Sequence, residues 1–303
     1  MSFVLITKNS VTCYILYQKL CDPIISKGEG TMPELPEVEV TKRGVEKVLV
    51  NHKIEDVFIG KLSLRVPMSD DLKKLIGATV IKLERRSKYI IVFTTQGSII
   101  IHLGMTGHLS IVDSDSERIL HDHFELKLDS HTSVRYNDAR RFGLVAYVAP
   151  NEDPYEYKPL KELGPEPLLD SFTAEVLLNN LKRRKLSIKQ ALLNSAVVVG
   201  VGNIYASEVL FACKINPCRL ANTISKEEAE LLVTEIKRIL TESIAQGGTT
   251  IRDFEGADGK LGYFVQNLQV YGHCDEPCKV CGTKIKRIVQ GNRSTFFCPN
   301  CQK

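Results

Sequence analysis

A chain of 303 residues with 43% hydrophobic content can bury one large core or two ordinary ones. Its net charge of +4 is too small for bulk basicity to mark a nucleic-acid binder. No apolar run approaches the roughly 20 residues of a membrane-spanning helix.

Residues 1–31 contain no arginine and sustain no amphipathic period. They make a poor signal peptide, because Lys8 and Asn9 interrupt the apolar stretch and no small-residue cleavage site follows. The pattern changes at "TMPELPEVEV". From Pro36 to about Leu49 it predicts a helix, with Pro36 in its first turn and Val38, Val45, Val48 and Leu49 on one face. Stretches rich in Val, Ile, Tyr and Thr follow: "KIEDVFIG", "ATVIKLERRSKYIIVFTT", "SIIIHLGMTGHLSIV", "HFELKLDSHTSVRYND" and "GLVAYV". "DSHT" reads as a hairpin turn, so residues 32–150 form a mainly antiparallel β domain behind a leading helix. His121 and His123 of "HDHF" are expected on one face of a strand, exposed or facing phosphate, since no third metal ligand is near them in sequence.

Residues 151–170 are proline-rich and aperiodic, and read as a linker. Helices are expected over residues 171–268. Ser225 and Glu228 form a capping box, Leu231, Leu232, Ile236, Ile239, Leu240 and Ile244 an apolar stripe, and Gly247 and Gly248 a stop. "VVVGVGNIYASE" mimics a dinucleotide-binding turn, but Tyr205 holds the third glycine position and the residues before it read as helical. A glycine-rich turn opening a helix still gathers free N–H groups for a phosphate, and Asn203 would add a donor.

Residues 269–303 form a small third unit. Cys278, Cys281, Cys298 and Cys301 make two C-x₂-C knuckles, the spacing of a structural zinc held by four thiolates in a reducing compartment. Basic residues bunch in "ERRSK", "ARRF", "LKRRKLSIK" and "KIKR", while acids collect elsewhere. Each run alone is an ordinary solvated face; together they allow a phosphate-binding surface. No serine-hydrolase, P-loop or zincin motif occurs.

"MPELPEVEV", "RRSKYI", "HLGMTGHL", "DARRFG", "LGPEPL", "VVGVGNIYASE", "GGTT…DGKLGYF", "QVYG" and the cysteine finger, in this order from Met32 to Lys303, resemble the bacterial formamidopyrimidine-DNA glycosylases. The resemblance implies an α+β multidomain fold: an N-terminal β-sandwich, a helix–two-turn–helix DNA-binding domain and a C-terminal zinc hairpin, with damaged duplex DNA in the cleft. It implies a cytoplasmic, monomeric base-excision repair enzyme that removes oxidised purines and nicks the abasic site. Pro33 then matches the nucleophile, Glu34 the acid/base, Lys88 the residue for phosphate contact and β-elimination, and Arg293 the one for δ-elimination. Met105, Arg140 and Phe142 match residues that fill the gap left by a flipped base. His121, Arg184, Lys189 and Asn203 match DNA contacts, and residues 249–264 match a flap over the base. Ala139 stands where the family has proline, and His273 and Cys274 where it tends to be basic or glycine-containing.

An endonuclease-VIII-like pyrimidine glycosylase is the nearest alternative, opposed by "PELPE" and by the Met/Arg/Phe set. With residues 1–31 attached, the Pro33 nitrogen is an amide without a basic lone pair, and the chain would be a non-catalytic DNA-binding homologue. Translation is therefore expected to start at Met32, residues 1–31 being upstream sequence read in frame. Lys27-Gly28-Glu29 can be written AAA-GGA-GAA, which contains a ribosome-binding sequence.

Overall fold

The computed structural model describes residues 32–249 and 264–303. The expected N-terminal extension and nearly all of the expected flap lie outside the described residues.

Helix α1 (Leu35–Leu49) opens the described chain, with Pro36 in its first turn and Glu37 reaching back to accept the Glu34 N–H at 3.0 Å. Eight strands follow: β1 (Ile54–Ile59), β2 (Val80–Arg86), β3 (Tyr89–Thr94), β4 (Gly97–His102), β5 (His108–Asp113), β6 (Asp122–Leu128), β7 (Thr132–Asn137) and β8 (Leu144–Val148). They form two four-stranded antiparallel sheets, ordered β1-β6-β7-β5 and β2-β3-β4-β8. Ile54, Leu126 and Val134 of the first sheet share one core with Ile90, Val92 and Ile99 of the second. Burying these β-branched and aliphatic side chains face to face makes the sandwich. The "DSHT" turn joins β6 to β7, with His131 at φ 58.

One local expectation needs correction. His121 sits just before β6 rather than within it, at φ 74, with its ring 6.3 Å from that of His123. His123 is buried rather than exposed, its Nε2 paired with the Asp138 carbonyl at 3.0 Å. The proline-rich segment between the sandwich and the helical domain is packed against the sandwich. It carries a short helix, α2 (Lys158–Lys161), whose Leu160 packs with Tyr89, Ile91 and Ile100 on the outer face of the second sheet. Glu166 then pairs with Arg85 at 2.9 Å and Arg86 at 3.0 Å.

The helical domain comprises α3 (Ala174–Leu181), α4 (Ile188–Leu192), α5 (Asn203–Ala212) and α6 (Lys226–Ala245). Thr173, Ser187 and Ser225 cap α3, α4 and α6, the last two as capping boxes. Leu232, Ile236, Ile239, Leu240 and Ile244 of α6 are buried, but Leu231 faces solvent. Helices α3 and α4 precede the glycine-rich turn, as expected, and residues 197–201 form a turn and bends with Gly200 at φ +78. Strands β9 (Lys286–Gln290) and β10 (Arg293–Phe297) form the C-terminal hairpin. Its Gly291-Asn292 turn has φ 54 and 60, as a two-residue type I′ turn requires.

The two domains share α1. Leu35 belongs to the helical core, while Val38, Val45 and Leu49 belong to the sandwich core. The start of α1 is therefore held from both sides.

Candidate active site

Two motifs far apart in sequence meet at that joint. The Glu34 carboxylate accepts backbone N–H groups from Gly202 at 2.8 Å, Ile204 at 2.9 Å and Tyr205 at 3.4 Å. The glycine-rich turn does open a helix whose N–H groups gather an anion, but that anion is the chain's own carboxylate, not phosphate. Gly202 is required because a Cβ there would overlap the Glu34 carboxyl group. The Gly200 carbonyl accepts the Leu35 N–H at 3.1 Å, and a Cβ on Gly200 would lie 2.5 Å from a Leu35 methyl.

Glu34 is buried, and desolvation together with the nearby Glu37 raises its pKa to about 7. Lys88 and the helix N–H groups pull the other way and lose. Glu37 is itself fixed by the Tyr205 hydroxyl at 2.7 Å and by the Thr249 N–H and hydroxyl, each at 2.8 Å. Lys88 projects from the β2–β3 turn after Ser87, which takes φ 56. Burial and the neighbouring Arg293 lower its pKa, against Glu34 and Glu37. Burial thus narrows the gap between the proton affinities of Lys88 and Glu34.

A cavity of about 440 Å³ opens here, bringing Glu34, Lys88, Met105, Arg140, Asn203 and Arg293 into one wall. Met32 also lines it, while Pro33, between Met32 and Glu34, is buried and not part of the wall. Phe142 is not in the wall but stands beside it, 46% exposed, with the Arg140 guanidinium 5.0 Å above its ring. Leu193, Tyr271 and Asn292 also line the cavity and were not picked out from sequence. Only Tyr271 had a signal, as the tyrosine of "QVYG".

The other expected DNA contacts fare differently. Asn203, at the first turn of α5, lines the cavity and donates to the Ser294 carbonyl at 2.9 Å. Arg184 is half-buried after α3, its Nε donating to the Asn180 carbonyl at 2.9 Å, away from the cavity. His121 is half-buried at the foot of β6, also outside the cavity wall. Lys189 is fully buried and offers no surface to a ligand in this structure. Its ammonium donates to Asn203 Oδ1 at 2.5 Å, and to the Ser294 carbonyl and Thr295 hydroxyl at 2.9 Å. Burial, with Arg293 nearby, lowers its pKa to about 7. Lys189 thus ties α4 to α5 and to the strand that starts at Arg293.

The four cysteine sulfurs of 278, 281, 298 and 301 lie within 4.8 Å of one another, with pairs at 3.9 and 3.5 Å. Tetrahedral zinc with bonds of about 2.3 Å places its sulfurs about 3.8 Å apart, so the set fits a structural zinc. All four ligand positions are protein sulfur, leaving none for water or substrate. Zinc here supplies a fixed cross-link that holds the hairpin. Among the described residues, no helix is long and apolar enough to cross a membrane.

Three family models match in succession: the formamidopyrimidine-DNA glycosylase N-terminal domain over residues 32–145, its H2TH domain over 163–255, and the zinc finger found in FPG and IleRS over 275–303. The β-sandwich, helical domain and zinc hairpin described above are the parts these models name. The chain belongs to the formamidopyrimidine-DNA glycosylase family. It is 45% identical over 271 residues to the formamidopyrimidine-DNA glycosylase of Vibrio cholerae serotype O1, covering 89% of this chain and 100% of that protein. The enzyme of Thioalkalivibrio sulfidiphilus is 47% identical over 274 residues, with 90% and 100% covered. Among solved structures, a Lactococcus lactis FPG mutant in complex with Fapy-dG-containing DNA superposes with a TM-score of 0.83 at 35% identity, covering 89% of this chain and 100% of that one. The MutM (FPG) protein of Thermus thermophilus gives 0.80 at 32% identity, covering 89% and 98%.

Proposed function

We propose that this chain is a bifunctional DNA glycosylase and abasic-site lyase that removes oxidised purines, including ring-opened formamidopyrimidines and 8-oxoguanine, from duplex DNA. Family membership supports the reaction class. The observation that carries the site is the cavity joining Met32, Glu34, Lys88, Arg140 and Arg293, with Pro33 next in the chain between the first two. On this reading the chain acts as a monomer on the chromosome, in the bacterial cytoplasm.

A target base inside the stack is out of reach, so it must be flipped out, with Met105 and Phe142 filling the gap and Arg140 facing the orphaned base. The nucleophile is the Pro33 nitrogen once the chain before it is gone, since an amide nitrogen has no free pair. An α-amino group titrates near pH 8, and the cations Lys88, Arg140 and Arg293 hold more of it neutral. Its lone pair bonds to C1′ of the sugar as the C1′–N bond to the base breaks; the base and the ring oxygen O4′ each take up a proton, one given by Glu34 and the other lost from the proline nitrogen, and the C1′–O4′ bond opens. The resulting iminium carries a permanent positive charge and acidifies C2′. Loss of the C2′ proton expels the 3′ phosphate, and a second elimination expels the 5′ phosphate. Lys88 and Arg293 hold those phosphates and stabilise the charge that leaves.

The test compares wild type with Glu34→Gln, both starting at Pro33, on a duplex with one 8-oxoguanine and on the same duplex with a preformed abasic site. Excision should fall by at least about a hundredfold and abasic-site cleavage by much less. Equal losses on both would remove Glu34 from base release.

A further inference from the structure

We infer that Asp138 is a positioning residue that locks the loop carrying Met105 to the turn carrying Arg140 and Phe142, so that the wedge enters the duplex as one rigid unit. This rests on the reading of those three residues given above.

Asp138 is fully buried, yet among the described residues no lysine or arginine side chain is bonded to its carboxylate. One oxygen accepts the Thr106 hydroxyl at 2.6 Å and the Arg140 N–H at 3.2 Å. The other accepts the Gly143 N–H at 2.9 Å and the Tyr136 hydroxyl at 3.2 Å. Thr106 follows Met105, and Gly143 follows Phe142, so one carboxylate binds the backbone or side chain beside each wedge residue. The Thr106 oxygen closes the ring by accepting the Arg140 N–H at 3.2 Å. The Asp138 main chain extends the hub: its N–H donates to the His121 carbonyl at 3.1 Å, and its carbonyl accepts the Arg141 N–H at 3.2 Å.

The two segments also touch backbone to backbone. A Cβ on Gly104 would lie 2.6 Å from the Gly143 nitrogen, leaving no room for either loop to slide. Arg141 sits at φ 58, a left-handed conformation that a long side chain adopts only when its surroundings impose it. A buried carboxylate is costly to desolvate, and here four donors offset that cost. What the charge adds is four strong, directional acceptor positions. Side chains that must displace a stacked base need that order, because slack of about half an ångström lets the base return.

Three proteins starting at Pro33 test this: Asp138→Asn, which turns one accepting oxygen into a donor, Thr106→Val, which removes one link, and Thr106→Ser, which keeps the hydroxyl. Each is assayed on 8-oxoguanine opposite cytosine and opposite adenine, with 2-aminopurine beside the lesion to report unstacking. A single-stranded abasic oligonucleotide, which needs no wedge, is the control. Asp138→Asn and Thr106→Val should lose about tenfold or more of duplex excision, along with cytosine preference and the fluorescence rise. Single-strand cleavage should stay within about twofold, and Thr106→Ser should restore the duplex readouts. Equal losses on single strand and duplex would mean a general folding role and overturn the inference. So would wild-type preference and fluorescence in both variants while Arg140→Ala loses them. If Arg140→Ala itself changes nothing, the reading of the wedge falls instead.

Discussion

At the scale of single residues, burial gives Glu34 a chemistry that an ordinary glutamate lacks. Its pKa is raised to about 7 by burial, with Glu37 adding to the effect. A raised carboxyl keeps its proton up to that pH and loses it above, so it can act as an acid in the neutral range where an ordinary glutamate cannot. The facing cations are Lys88 and, in the processed chain, the Pro33 amine, which must itself be neutral to attack. Single-turnover excision should therefore rise with pH as the amine deprotonates and fall as pH passes about 7 and Glu34 ionises. In Glu34→Gln the descending limb should vanish from the residual rate; a limb that persists would belong to another group.

Gly202 makes the same point from the opposite side. Adding a methyl there must push the carboxyl group off its three N–H donors. Hydrogen bonds to a charged group contribute about 1.5–3 kcal/mol each, so Gly202→Ala should slow excision about tenfold or more. Zinc content and affinity for undamaged duplex should hold; a variant with wild-type excision would mean the carboxylate needs no such cradle. The sequence marked both "PELPE" and "GVGN" as unusual but could not pair them, because a carboxylate and a phosphate satisfy a helix N-terminus equally well. Lys189 lies in a basic run that reads as a solvated face, and only the fold shows the three neutral acceptors that bury its ammonium.

At the scale of elements, periodicity and capping predicted α1, α6 and the alternating strands, since these signals are local. What stayed hidden was where the pattern bends. The left-handed residue at position 121 detached His121 from its strand, and the helix in the proline-rich segment is too short to show a period. The zinc hairpin was legible because four thiolates impose their own geometry. It presents Arg293 directly after a type I′ turn and is moored to α4 and α5 through Lys189. Removing one zinc ligand should free that end of the chain, because metal binding and local folding are one equilibrium. Cys298→Ser should release zinc and weaken binding to an abasic-site-analogue duplex by at least about tenfold. Full affinity in zinc-free protein would show that the hairpin keeps its shape without the metal.

At the scale of the whole molecule, α1 is the member shared by both cores, and Glu34 caps its N-terminus. Leu35 fixes that end to the helical domain while Val38, Val45 and Leu49 fix the rest to the sandwich. Lys88 comes from the sandwich, Asn203 from the helical domain and Arg293 from the zinc hairpin, so the cavity exists only when all three units are docked. No sequence window contains such a site, although the family resemblance named most of its parts. The central claim is that the Pro33 amine, placed at this junction, bonds covalently to the sugar. Borohydride trapping tests it: a chain starting at Pro33, the same chain acetylated on that amine, and a chain keeping Met32 are each mixed with an 8-oxoguanine duplex and reductant. The free amine alone should give a stable protein–DNA adduct, with peptide mapping placing the sugar on Pro33. Efficient trapping by either blocked chain, or an adduct that maps to Lys88, would contradict the account.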